Sequence, residues 1–80
     1  MTHPEKMDYV LNLFKTNRMD LQLSTIRGLI PQELKPVIIE ILDELVKSGY
    51  LEYNNGWWSG TSKGRSFSGF VRSNILRIKN

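Results

Sequence analysis

Eighty residues with 40% hydrophobic and 24% charged side chains make one small globular domain rather than a disordered chain or a multidomain protein. Cysteine is absent, which excludes disulfides and thiolate metal sites and suits a reducing compartment. The opening Met1-Thr2-His3-Pro4-Glu5-Lys6 lacks the apolar run of a signal peptide, and no stretch approaches the roughly 18 apolar residues of a membrane span, so a soluble cytoplasmic protein with no membrane contact is expected.

In chain order, Met7, Val10, Leu11 and Phe14 place one apolar stripe on a helix over Glu5–Thr16, with Thr2 and Glu5 spaced as a capping box. Met19–Leu23 alternates apolar and polar and predicts a short strand. Ser24 is placed to cap a second helix over Thr25–Ile30, with Ile26, Leu29 and Ile30 turned inward. Pro31-Gln32-Glu33 forms the next turn. The third helix should begin at Leu34 or Lys35, so that Pro36 falls in its first turn, and run to Lys47, with Gly49 terminating it. Leu51–Tyr53 and Trp57–Ser59 flank Asn54-Asn55-Gly56, a strong hairpin signal. A two-residue turn at Asn55-Gly56 pairs Tyr53 with Trp58, sends Trp58 into the core with Tyr53 and Leu51, and leaves Trp57 exposed. A three-residue loop would invert that assignment. Finally Ser62 to about Leu76 reads as a helix, with Phe67, Phe70, Val71 and Ile75 packed on the first helix and Arg65, Arg72 and Lys79 outside. The elements together are α+β.

The net charge of +3 is unevenly distributed. Residues 1–59 hold six basic residues and all eight acids, a balance of −2, whereas Lys63, Arg65, Arg72, Arg77 and Lys79 give residues 60–80 a balance of +5. A basic stripe can be a solvated face or an electrostatic footprint for phosphate.

The run Leu42-Asp43-Glu44-Leu45-Val46-Lys47-Ser48-Gly49-Tyr50-Leu51 resembles the helix exit of the winged helix-turn-helix superfamily, and Thr61-Ser62-Lys63-Gly64-Arg65 is similar to the Thr-x-Lys-Gly step by which many members enter a helix after the wing. As an order of elements the resemblance covers nearly the whole chain; Gly60 departs from it, standing where Leu or Ile would precede the Thr. It implies a three-helix core with a short first strand, a two-stranded wing and a C-terminal helix. It also implies that the third helix is the recognition helix.

On that basis the chain is expected to bind double-stranded DNA as a small transcriptional regulator and homodimer. Arg27, Lys63 and Arg65 would hold phosphates, and Gln32 and Lys35 would reach the groove edge. The exposed face of the third helix objects, because Glu40, Asp43 and Glu44 beside Ile39 suit phosphate poorly. The competing expectation is a protein-interaction or dimerisation module using Ile39 and an exposed Trp57. Tyr50, Tyr53, Trp57 and Trp58 are alternatively core residues or a stacking platform for single-stranded bases. An enzyme is not expected. His3 is the sole histidine, no phosphate loop or nucleophile–base spacing occurs, and neither metal nor cofactor is implied.

Overall fold

The computed structural model describes residues 1–17 and 19–70. Among them the chain forms α1 (His3–Thr16), β1 (Leu21–Gln22), α2 (Leu23–Leu29), a 3-10 helix (Gln32–Val37), α3 (Ile38–Lys47), β2 (Leu51–Asn54), β3 (Trp57–Gly60) and α4 (Ser62–Ser66). The strands make an antiparallel sheet in the order β1-β3-β2, so the molecule is α+β.

The helical stripes meet in one core. Val10, Leu11 and Phe14 of α1 pack with Ile26, Leu34, Ile38, Ile41, Leu42 and Leu45, and Leu51 closes the cluster from the sheet. At α1's start, the Glu5 amide donates to the Thr2 hydroxyl at 3.3 Å and the Thr2 amide to the Glu5 carboxylate at 2.7 Å, completing the expected capping box. The Thr2 backbone amide foremost, and then the Thr2 side chain, hold Glu5 below the usual carboxylate pKa.

The hairpin has its expected register. Asn55 and Gly56 both take positive φ, 50° and 87°, as a two-residue I′ turn requires, and Tyr53 pairs with Trp58. Trp57 is 43% exposed and Trp58 packs against the core. Tyr53, expected in the core, is instead 52% exposed. It is the next-to-last residue of β2, near the tip of the hairpin, and its ring lies 4.5 Å from that of Trp58.

Four expectations are corrected. The first strand shrinks to two residues, and α2 follows it directly from Gln22, without a side-chain cap from Ser24. Leu29, expected inside, is 43% exposed. The short α2 centres its buried side on Ile26 and Leu23, which puts Leu29 at the far edge. Helix three begins as a 3-10 segment that already includes Gln32 and Glu33 and contains Pro36, and α geometry starts only at Ile38. Pro36 has no amide hydrogen and crowds the carbonyl four residues back, so the chain stays in the tighter form until it is past.

The last helix is the largest departure. It ends at Ser66, and Phe67 adopts extended backbone. The Phe67 ring lies 4.7 Å from those of both Tyr50 and Phe70, and its carbonyl accepts from the Lys15 ammonium. The Phe70 amide donates to the Asp8 carboxylate at 2.7 Å, and Gly69 at φ 125° turns the chain toward it. The helix is thus interrupted over residues 67–69, and Phe70 is helical again. The Val71, Arg72, Ile75, Leu76 and Lys79 assignments lie outside the described residues.

Candidate nucleic-acid interface and the adjoining groove

The two sequence motifs flanking the hairpin are in contact with each other. Ser48-Gly49-Tyr50 leaves α3, with Gly49 at φ 85°. Thr61, the N-cap of α4, accepts from the Gly64 amide at 3.1 Å and donates its hydroxyl hydrogen to the Gly49 carbonyl at 2.6 Å. Lys63 donates to the Ser48 carbonyl at 2.8 Å and sits 4.6 Å above the Tyr50 ring. A Cβ on Gly64 would lie 2.1 Å from the Tyr50 carbonyl oxygen. The Thr-x-Lys-Gly step therefore works as a clasp: the Thr and Lys satisfy carbonyls that a helix C-terminus leaves open, and the Gly lets the backbones meet.

This clasp decides where the candidate cations fall. Lys63 is fixed at the C-terminal end of α3, whereas Gln32 and Lys35 lie before its first residue, so the ten-residue helix separates them by about 15 Å. The five expected DNA contacts thus do not form one cluster. Arg27 lies in the last turn of α2, and Gln32 and Lys35 lie in the 3-10 segment that follows it in sequence and leads into α3. All three are exposed, and none has a side-chain hydrogen bond or ion pair among the described residues. Arg65 is exposed too, its stem running past Gly60 at the base of β3.

Other charges are already engaged. Lys15 holds the Phe67 carbonyl and Lys47 pairs with Asp43 at 3.0 Å. Glu44 meets His3 at 3.0 Å, and Glu33 meets the Met1 amino group at 3.2 Å. Sequence spacing gave no sign of the last two pairs, since each joins the chain's first residues to positions far along it.

The two residues considered for protein contact occupy different surfaces. Trp57 lines a shallow hollow with Met19, Asp20, Asn54 and Asn55 on the outer side of the hairpin. Ile39, 50% exposed, lines a groove of about 350 Å³ between α3 and the hairpin, with Glu40, Asp43, Val46, Tyr53 and Trp58. The aromatics are likewise divided: Tyr50 lies with Phe67 and Phe70, Tyr53 meets Trp58 with the rings tilted at 49°, and Trp57 faces the other way. They do not form a continuous stacking platform. No described helix is long and apolar enough to cross a membrane.

Comparison of the chain with protein-family models, with curated proteins and with solved structures finds no match.

Proposed function

We propose that this chain is a winged-helix protein that binds double-stranded DNA through the start of its third helix, as a small homodimeric transcriptional regulator. The observation that carries this is the exposure of Arg27, Gln32 and Lys35, none engaged by another side chain among the described residues, on the two consecutive elements that lead into α3. In helix-turn-helix docking the N-terminal residues of the second helix contact base edges while the first helix crosses the backbone. The arrangement also answers the charge objection. Glu40 lies five residues beyond Lys35, so an end-on approach keeps it away from phosphate, and the nearer Glu33 has the Met1 amino group beside it. Arg27 and Lys35 would hold phosphates, Arg65 would add a flanking contact from the hairpin side, and Gln32 would reach a base edge. Lys63, engaged in the clasp, is left out of the contact set.

The test is binding of labelled duplexes of varied sequence. Gln32→Ala should flatten the preference among duplexes, by about 1–3 kcal/mol at the position read, with little change in average affinity. Equal preference in parent and variant would remove Gln32 from the recognition role.

A second function, as a protein-interaction module, is favoured by one observation: the groove that exposes Ile39 and Tyr53 beside acids. If two copies join there, Ile39→Ser should lower self-association in sedimentation equilibrium, and an unchanged association constant would exclude that surface from the dimer.

A further inference from the structure

β2 lies at one edge of the sheet, with β3 on one side and, among the described residues, no strand on the other. A two-residue turn makes Asn54 and Trp57 a hydrogen-bonded pair, so the backbone groups along β2 alternate in direction. Asn54 and Glu52 turn theirs to β3, whereas Tyr53 and Leu51 turn theirs outward. Leu51 is buried. Tyr53 is exposed, and its amide and carbonyl have no partner on that outer side among the described residues. The hairpin thus leaves one strand-pairing position open.

The surroundings of that position define what fits it. Residues directly opposed across a ladder share a sheet face, so a residue opposite Tyr53 puts its side chain on the face of Tyr53 and Trp58. That face lines the groove with Ile39 and Val46, which suits an aliphatic side chain. In an antiparallel arrangement one neighbour of that residue falls opposite Glu52, in a non-hydrogen-bonded pair where side chains approach closely. Glu52 has no ion pair among the described residues, and neither has Glu40 at the groove's rim, so a cation suits that neighbour. Asp43 already has Lys47 at 3.0 Å. Two copies joined along this edge would set the same acids against each other, which disfavours self-pairing.

We propose that the β2 edge and its groove bind an extended segment of a different protein, one that alternates aliphatic and basic side chains and adds to the sheet antiparallel to β2. The proposal rests on the protein-interaction reading of the groove and not on DNA binding. The Tyr53 amide and carbonyl exchange hydrogen bonds with one aliphatic residue of the segment. That residue's side chain packs on Ile39 and Val46 beside the Tyr53 ring, and the adjoining cation meets Glu52. Main-chain bonds supply affinity and the alternate side chains supply selectivity.

The probe is a short, end-capped peptide of alternating lysine and valine. It is titrated into the full chain while the Tyr53 amide, the Trp58 indole and the Ile39 methyls are followed by NMR. N-methylation of the valines removes the donors that face Tyr53 and should weaken binding about tenfold or more. N-methylation of the lysines, whose amides face away, should change it by less than about twofold. Glu52→Gln should weaken the lysine peptide about two- to fivefold and leave a peptide with glutamine in place of lysine unaffected. Far-UV circular dichroism checks that the variant is folded. The proposal fails if no peptide binds, if a peptide of the same composition in shuffled order binds equally, or if both N-methylated peptides lose affinity alike. Should peptide binding fail while Ile39→Ser lowers self-association, the groove is a contact between copies and only the added strand is excluded. Should both measurements show nothing, the protein-interaction reading of the groove is excluded with it.

Discussion

Gly64 and Gly28 show how differently one residue type can act. At Gly64 a methyl group would meet the Tyr50 carbonyl oxygen at 2.1 Å, and that oxygen belongs to backbone which the clasp holds in place. Gly64→Ala should therefore destabilise the fold by about 1–3 kcal/mol, read as a lower midpoint in urea. Gly28 lies in α2, and a Cβ there meets nothing within 4 Å. Gly28→Ala should stabilise by about 0.5–1 kcal/mol, because the helix gains propensity without a clash. Opposite signs are the prediction; a destabilised Gly28→Ala would mean that α2 is held by something other than its backbone. At the other end of the chain, Thr2→Ala should cost about 1 kcal/mol through loss of the cap. Glu5, with its pKa depressed by the Thr2 amide, supports folding above its ordinary pKa, and that support is lost as pH falls through the depressed value. Carboxyl NMR across the acid range should show Glu5 titrating below the unfolded peptide, and closer to it in Thr2→Ala.

At the scale of elements, the junction of α3, the hairpin and α4 depends on contacts that no local pattern announces. The stripe Met7, Val10, Leu11, Phe14 and the turn Asn55-Gly56 were legible because residues a few positions apart set them. The break after Ser66 was not, since it follows from Tyr50, Lys15 and Asp8, all distant in sequence. The same holds for the candidate site. Exposure of Arg27, Gln32, Lys35, Ile39 and Trp57 followed from helical and strand periodicity. The removal of Lys63 to the far end of α3 followed only from its bond to Ser48. Pro36 pointed to a start at Leu34 or Lys35, but the 3-10 segment begins at Gln32 and α geometry only at Ile38, along a stretch that meets the core through Leu34 and Ile38. The clasp predicts a separation of effects. Lys63→Met keeps the stem over Tyr50 but loses the hydrogen bond to Ser48, and should lower stability by about 1 kcal/mol, or about 4–8 °C in Tm. An unchanged melting curve would show that the Lys63 bond to the Ser48 carbonyl contributes nothing to stability.

For the whole molecule, the uneven charge becomes a question of which cations remain open to a partner. Lys15, Lys47 and Lys63 are engaged within the fold, while Arg27, Lys35 and Arg65 are exposed without side-chain partners among the described residues. The most direct measurement is the salt dependence of duplex binding by the parent, Arg27→Ala, Lys35→Ala and Lys63→Met, compared where all are folded. Each phosphate contact contributes about −0.9 to the slope of log K against log salt, so Arg27→Ala and Lys35→Ala should each make the slope shallower by about one. Lys63→Met should leave it at the parent value. A parent without salt-sensitive affinity, or a slope that drops for Lys63→Met and holds for Arg27→Ala and Lys35→Ala, would contradict the placement of the interface at the start of the third helix.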